Sequence, residues 1–277
     1  FKQKTAYEIP KRDWSSDVCS SDLLRKNSTR DLKAYVRRSS DDGVSWSEPV
    51  TVTSDAGYHV MNNARVIQLR SGRLLAPVAS TAQVWTKNDD FRTSVYLSDD
   101  DGRSWRRGRT LLSAPKRGAM EPGLVELKDG RVMQIIRTQT GFIWRSFSSD
   151  GGDTWTDAVP WDIEAPESPS TLAAVPGGDW LLVWNPRVVW GDAARTVLGA
   201  NHGGPRTPLA AMISPDEGRT WGPRRLLESD AGATYAYTSV TFHEGRALLT
   251  YYHFPNGGKE LSLKFRSVPL AWFRAAP

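Results

Sequence analysis

Four aspartates recur within one eight-residue pattern, S-x-D-x-G-x-x-W, and carboxylates are among the groups that enzymes use as acids, bases and nucleophiles. The copies read SSDDGVSW from Ser39, SDDDGRSW from Ser98, SSDGGDTW from Ser148 and SPDEGRTW from Ser214. These residue types also suit a tight turn, because Asp and Ser side chains bond backbone groups, Gly tolerates positive φ and Trp can cover the turn. We therefore predict that these aspartates are structural and that the chemistry lies elsewhere; they are Asp41, Asp100, Asp150 and Asp216.

Metal ligands of the soft and borderline type are scarce in this chain. It has one Cys and four His, and the histidines show no metal-ligand spacing. A single Cys excludes a disulfide framework and a Cys-based zinc site. We therefore expect neither a metal nor an organic cofactor.

Composition and charge narrow the class of partner. The 277 residues are 39% hydrophobic and 24% charged, with a net charge of +5, which is ordinary for a globular protein. No apolar run approaches the roughly 18–20 residues that a membrane helix needs. Lys and Arg are scattered without a basic helix, so nucleic acid is not an expected partner. The mild positive balance suits an anionic small substrate instead.

The first residues look foreign to the protein. Residues 2–23 read KQKTAYEIPKRDWSSDVCSSDL, and their back-translation fits the two halves of a widely used sequencing-library adapter around a barcode. We expect residues 1–23, including Cys19, to be a non-native, disordered segment, and residues 24–277 to be the genuine domain. The natural start, with any signal peptide, is then expected upstream. The compartment stays open, with a secreted or periplasmic location favoured.

Short runs that alternate apolar and polar residues dominate the chain from Leu24 onward, as in RVIQLRSGRLLAPVAS and TSVTFHEGRALLTYYH. Such alternation predicts half-buried β-strands. RSGR, KDGR, PGGD and HEGR each separate two such runs, which is typical of hairpins. No capped helical pattern of eleven or more residues stands out. The sequence therefore predicts an all-β chain.

The spacing of the repeated pattern predicts how the strands are arranged. Its Ser residues lie at 39, 98, 148 and 214, which gives intervals of 59, 50 and 66 residues. A unit of this size holds about four strands, and periodic β units of this length are typical of propellers. Each copy follows one strand and precedes another, so it should form the hairpin turn between them.

Together these features resemble the Asp-box sialidases, or neuraminidases. The resemblance implies a six-bladed β-propeller, here with an N-terminal strand or part-blade missing, and an exo-acting retaining sialidase whose substrate is a sialylated glycan. Such sugars carry a carboxylate on the anomeric carbon, which planar guanidinium groups bind best. Sialidases accordingly use a Tyr nucleophile. The family pattern adds a Glu that takes the Tyr proton, three Arg and an acid/base Asp.

One segment matches the part of this family that carries the Glu and an Arg. MEPGLVELKDGRVMQIIRT, residues 120–138, resembles the stretch in which the Glu precedes a hairpin that ends in a triad Arg. The resemblance implies Glu121 as the partner of the Tyr and Arg137 as a triad arginine, 16 residues apart. Glu126 is a competing carboxylate, but its place just before the turn favours a structural role.

A second segment, GGPRTPLAAMISPDEGRTW at residues 203–221, resembles the stretch that places another triad Arg before the strand leading into a box. The resemblance implies Arg206 in that role. Arg187 and Arg195, in the preceding loop NPRVVWGDAART, are rivals.

A third segment carries the expected nucleophile. ATYAYTSV, residues 233–240, resembles the family's strand entry and implies Tyr237, which follows Arg206 by 31 residues. Tyr235 is a competing residue, because the period of two in a strand would put both side chains on one face. The choice of Tyr237 rests on the match of the AYT triplet.

The remaining roles are carried by residues near the N-terminus. Asp31, eight residues before Ser39, is expected as the acid/base residue, and the first triad Arg is expected upstream of Leu24. Asn62 and Asn63 offer amides suited to sugar hydroxyls.

Two alternative functions stay open. A propeller hydrolase of another acidic sugar would keep the arginines, whereas a non-catalytic propeller that binds carbohydrate or protein has no need to gather them. Convergence of Glu121, Arg137, Arg206 and Tyr237 at one end of the central axis would favour an enzyme. Because of the missing part-blade, we expect residues 24–277 alone to have little turnover.

Overall fold

The computed structural model describes residues 31–62, 64–82, 89–186, 206–256 and 260–275. Over these ranges the chain is all-β apart from one short helix, as the alternating pattern predicts. No helix in these ranges has the length and apolar character needed to cross a membrane. The segment 1–23, Asn63, Arg187 and Arg195 lie outside the described residues.

The first part of the described chain forms a six-stranded sheet and a small two-stranded sheet. The larger sheet contains β1 (Asp31–Leu32), β4 (Gly57–Val60), β5 (Ile67–Gln68), β6 (Leu74–Thr81), β7 (Arg92–Ser98) and β8 (Arg106–Arg107). Its order is β1-β4-β6-β7-β8, with β5 also paired to β6. The small sheet pairs β2 (Tyr35–Val36) with β3 (Val50–Thr51).

Three further sheets follow along the chain, each an antiparallel meander. With the six-stranded sheet counted as the first, the second sheet contains β9 (Met120–Glu126), β10 (Val132–Arg137), β11 (Phe142–Ser148) and β12 (Val159–Glu164). The third contains β13 (Thr171–Ala174), β14 (Trp180–Trp184), β15 (Leu209–Ser214) and β16 (Arg225–Glu228). The fourth contains β17 (Ala233–His243), β18 (Arg246–Pro255) and β19 (Ser262–Pro269), and helix α1 (Leu270–Arg274) follows it.

The core lies between consecutive sheets rather than inside any one of them. Leu75 and Val95 of the first sheet pack with Leu124 and Val132 of the second. Equivalent apolar clusters join the second sheet to the third and the third to the fourth. Because each of the four larger sheets packs face to face with the next one in chain order, these four sheets form a propeller-like arrangement. The number of six blades stays a prediction.

Hydrogen bonds join the sheets close to their leading strands. The Thr171 hydroxyl at the start of β13 donates to the carbonyl of Thr238 in β17 at 2.6 Å. The Arg65 guanidinium donates to the Ser170 carbonyl at 2.8 Å and lies against Gly123 in β9. These buried contacts bring together one edge of the four larger sheets, and that edge carries the candidate site.

The four Asp boxes lie at the opposite edge, each between the last two strands of a sheet. In the second sheet, Val132 pairs with Ser148, which opens a box, whereas Arg137 pairs with Met120 at the other end of the hairpin. Within this box the Asp150 carboxylate accepts from the Ser148 hydroxyl at 2.8 Å and from the Thr154 amide at 2.9 Å. The carboxylate is therefore engaged within the turn.

The same bonds stabilise the charged form of the box aspartates. Burial raises the pKa of Asp150, but the hydrogen bonds from Thr154 and Ser148 together outweigh it and lower this pKa to about 2. In the preceding box, hydrogen bonds from Ser104 and Ser98 likewise lower the pKa of Asp100 to about 2. A folded-state pKa below the unfolded value means that these bonds stabilise the fold above the ordinary value of 3.8 and less so as the pH falls toward 2.

Asp150→Ala should lower the free energy of unfolding by about 1–2 kcal/mol at neutral pH, because several turn donors lose a charged acceptor. The deficit should shrink as the pH falls from 3.8 toward 2, where the wild-type carboxylate also becomes protonated. Urea denaturation at several pH values measures both effects.

Asp162→Ala, on the exposed face of β12, is the matched control and should change stability by less than about 0.5 kcal/mol. A deficit of the Asp150 variant that stays constant down to pH 2 would contradict the assignment of the carboxylate to the turn.

Candidate functional site

Two residues with strained backbones begin the site. Glu121 in β9 has φ 40 and Tyr237 in β17 has φ 57. Positive φ is uncommon for residues other than glycine and costs on the order of 1–3 kcal/mol, so it persists only where the surroundings impose it. Both positions lie beside irregular strand pairing. These irregularities turn the two side chains toward one another.

The bulge in β17 decides which tyrosine faces the site. The pairing with β18 shifts between Ala236 and Ser239, so the strict alternation of faces ends there. Tyr235 is 2% exposed and packs edge-on against Tyr251 in the core. The expectation that Tyr235 and Tyr237 share a face is therefore wrong, because the extra residue rotates the chain between them.

A carboxylate links the tyrosine to an arginine. The Tyr237 hydroxyl donates to Glu121 Oε1 at 2.9 Å, across 116 residues of sequence. Arg137 Nη1 donates to the other oxygen, Oε2, of the same carboxylate. The Arg137 side chain is only 5% exposed. Glu121 therefore bridges a phenol and a buried guanidinium.

The electrostatics of these three residues separate the pKa values of the acid and the phenol. Burial would raise the pKa of Glu121, but the charge and hydrogen bond of Arg137, the charge of Arg206 and the Tyr237 donor outweigh it and lower this pKa. Burial and the Glu121 charge raise the pKa of Tyr237 to about 12, against the opposing charges of Arg137 and Arg206. At neutral pH the pair is thus a neutral phenol bonded to an ionised carboxylate.

A second guanidinium lies over the phenol ring. The Cζ atom of Arg206 is 5.6 Å from the centroid of the Tyr237 ring, within the range of cation–π attraction. Arg206 Nη1 donates to the Tyr252 hydroxyl at 2.6 Å, and the rings of Tyr252 and Tyr237 are 5.3 Å apart. Two guanidinium groups therefore border the same phenol.

A buried glutamate, Glu167, completes the cluster and was not predicted from the sequence as a site residue. Its carboxylate accepts from Arg117, from Arg137 at 3.3 Å and from Gln139 at 2.7 Å. Arg117 in turn donates to both oxygens of Asp89, at 2.9 Å and 2.6 Å. The sequence APESPST around Glu167 signals only a turn between strands.

Asp31 and Asn62, which the sequence also predicts as site residues, lie in or next to strands of the first sheet. Asp31 lies in β1, whose backbone pairs in parallel with β4 at Gly57, one residue before Tyr58. Burial and the charge of Glu121 raise the pKa of Tyr58, so this corner of the first sheet lies beside the site. Asn62 follows β4, and its buried amide nitrogen has no hydrogen-bond partner among the described residues.

Glu126, the competing carboxylate, lies at the other end of β9. It accepts from the backbone amide of Arg70 at 2.9 Å, in a contact between neighbouring hairpins. The geometry therefore separates it from the cluster around Glu121.

The cluster can bind an anion and transfer a proton. A phenol bonded to an ionised carboxylate can lose its proton to that carboxylate when an electrophile approaches. Buried guanidinium groups beside it attract a carboxylate in a planar, bidentate manner. Over the described ranges, no three His, Cys, Asp or Glu side chains form a group that could hold a metal ion.

The chain resembles known proteins along most of its length. A family profile described as the BNR repeat-like domain matches residues 22–253. A sialidase of Micromonospora viridifaciens is 26% identical over 252 residues, which is 87% of this chain and 36% of the relative. A sialidase of Bacteroides fragilis is 24% identical over 244 residues, which is 83% of this chain and 40% of the relative. The chain therefore spans less than half the length of these curated relatives.

Solved structures share the fold. A Hadza microbial sialidase superimposes with a TM-score of 0.67 at 20% identity, over 89% of this chain and 47% of that one. A leech intramolecular trans-sialidase gives 0.63 at 22% identity, over 87% and 37%. A protein of unknown function from Dyadobacter fermentans gives 0.67 at 22% identity, over 86% and 64%.

Arg137→Met should lower the free energy of unfolding by about 3–5 kcal/mol, because it removes a buried cation that two carboxylates share. Arg131→Met, immediately before the same strand, removes an exposed partner of Asp129 and should change the free energy of unfolding far less. Chemical denaturation followed by circular dichroism compares them. Equal losses in the two variants would contradict the burial of a charge pair at Arg137.

Proposed function

Because the chain belongs to the BNR repeat-like domain family, we propose that it is an exo-acting sialidase that releases terminal sialic acid with retention of configuration. The observation that carries the proposal is the hydrogen bond from the Tyr237 hydroxyl to Glu121, beside two guanidinium groups. The names of the curated relatives, both sialidases, support the same substrate class.

The substrate carboxylate explains the choice of nucleophile. It sits on the anomeric carbon, so an attacking carboxylate would meet a like charge, whereas a neutral phenol does not. Tyr237, with a pKa raised to about 12, is neutral as the substrate binds. Glu121 is ionised and bonded to the phenol, so it can take the proton as the oxygen attacks.

The reaction proceeds by two displacements. The Tyr237 oxygen bonds to the anomeric carbon, its proton passes to Glu121, and the bond to the aglycone oxygen breaks. An acid gives that oxygen a proton, a role we propose for Asp31. Water then attacks the same carbon with Asp31 as the base, and Glu121 returns its proton to the departing phenolate.

We propose that two arginines and one amide bind the substrate. Arg137 and Arg206 are proposed to hold the substrate carboxylate through charge-assisted hydrogen bonds. Asn62, whose buried amide nitrogen lacks a partner among the described residues, is proposed to donate to a sugar hydroxyl.

Intramolecular transfer is a second candidate for the final step. A curated relative in Macrobdella decora is named an anhydrosialidase, and it is 30% identical over 136 residues, which is 45% of this chain and 16% of the relative. In that reaction a hydroxyl of the bound sugar replaces water. Mass spectrometry of the product distinguishes free sialic acid from the anhydro sugar.

Labelling with 2,3-difluorosialic acid tests the nucleophile directly, because the trapped intermediate forms once per site and needs no fast turnover. We expect the adduct on the peptide containing Tyr237, and a loss of at least about 10³-fold in the labelling rate of Tyr237→Phe. Glu121→Gln should slow labelling strongly as well, because the phenol loses its proton acceptor.

Tyr235→Phe is the matched control, since this core tyrosine lies two residues earlier in the same strand. It should be labelled at the wild-type rate. An unlabelled wild-type chain, or an adduct on another residue, would contradict the proposal.

The pH dependence of labelling tests the base. Glu121 must be ionised, and its pKa is lowered from the ordinary value of 4.5. The labelling rate should therefore hold as the pH falls to 4.5 and decline only below it. A decline whose midpoint lies above 4.5 would show that Glu121 is not the ionised group on which the reaction depends.

A further inference from the structure

Glu167 lies in the short connection between β12 and β13, and its carboxylate is fully buried at 0% exposure. A buried carboxylate is costly unless it is paired and hydrogen-bonded. The Glu167 carboxylate accepts hydrogen bonds from three side chains, those of Arg117, Arg137 and Gln139. Two of the three are cations, so the charge is compensated within the cluster.

The two cations do not depend on Glu167 equally. Arg117 also has a bidentate partner in Asp89, at 2.9 Å and 2.6 Å. Arg137 is shared between Glu121 and Glu167, which hold different nitrogens of its guanidinium. The plane of that guanidinium is therefore set by carboxylates on two sides.

The backbone of the same residue reaches the second guanidinium. The carbonyl of Glu167 accepts from Arg206 Nη2 at 3.4 Å. The next residue, Ser168, donates its hydroxyl to the buried amide of Asn185 at 2.6 Å. Asn185 in turn donates to the Tyr235 carbonyl at 3.1 Å. The connection that carries this carbonyl is thus tied through Asn185 to β17.

We propose that Glu167 is a positioning residue, whose carboxylate and carbonyl orient the guanidinium groups of Arg137 and Arg206 to receive the carboxylate of the substrate. This inference rests on the proposed function. It assigns to one connecting segment the alignment of both anion-binding groups, although Glu167 need not touch the substrate.

Replacing the Glu167 carboxylate by an amide perturbs its hydrogen bonds to the guanidinium groups. Glu167→Gln keeps the size of the side chain, but an amide offers one oxygen where the carboxylate offers two. Arg117 and Arg137 share Oε1 of the carboxylate and Gln139 donates to Oε2, so the amide sets an N–H group against at least one of these donors. Arg137 also loses its charged second partner, and of its two carboxylate partners only Glu121 remains.

Binding of two matched ligands tests the proposal. The probes are 2,3-dehydro sialic acid, which has no glycosidic bond to cleave, and its methyl ester, which lacks the negative charge. We expect Glu167→Gln to weaken binding of the acid about tenfold in calorimetry and to change binding of the ester less than about twofold. Equal weakening for both ligands, or none for the acid, overturns the proposal.

Two further variants separate alignment from folding. Glu167→Asp keeps the charge at shorter reach and should lose about threefold for the acid alone. Ser146→Ala removes a buried hydrogen bond to the Thr156 carbonyl, outside the cluster, and should leave the ratio of acid to ester affinity unchanged. If the Gln variant does not fold, the ratio measured for the Asp variant decides.

The two proposals can fail separately. A wild-type chain that binds the acid but takes no label from difluorosialic acid overturns the glycosidase, and the Glu167 variants still test the alignment. A labelled wild type with unchanged ligand ratios in the variants overturns only the role of Glu167. A wild type that binds neither ligand overturns both.

Discussion

Pairing of buried charges is the constraint on which the site depends. Arg137 is almost wholly buried, and an isolated cation there would be far too costly, so carboxylates must meet it from more than one side. Glu121 and Glu167 do so, and Glu167 passes the requirement on to Arg117 and then Asp89. Positive and negative groups alternate along this chain of contacts, which fixes side chains from several loops and strands.

This pairing also accounts for the strain beside it. Glu121 and Tyr237 both adopt positive φ, a cost that local sequence preferences oppose. The hydrogen bond between their side chains and the ion pair to Arg137 occur where both backbones turn in this way. The energetic cost and the gain therefore lie at the same two residues.

Local rules predict part of this site well. Glu121 and Arg137 lie on paired strands of one hairpin, so their spacing and the turn between them suffice to bring them together. Contacts between residues far apart in the sequence cannot be read from spacing in this way. The bulge that separates Tyr235 from Tyr237 depends on pairing with β18, and Glu167 reaches the cluster from a connection whose sequence signals only a turn. The all-β character and hairpins are local; the number of blades and the charge network are not.

The placement of the boxes has a consequence for how this scaffold tolerates change. Each box closes its hairpin through contacts within eight residues, at the edge away from Glu121 and Arg137. The bonds that close the box turns and the side chains of the candidate site are thus separate sets. Substitutions among exposed residues at the rim of the site leave the box turns intact, whereas a buried residue such as Arg137 ties the site to the stability of the sheets.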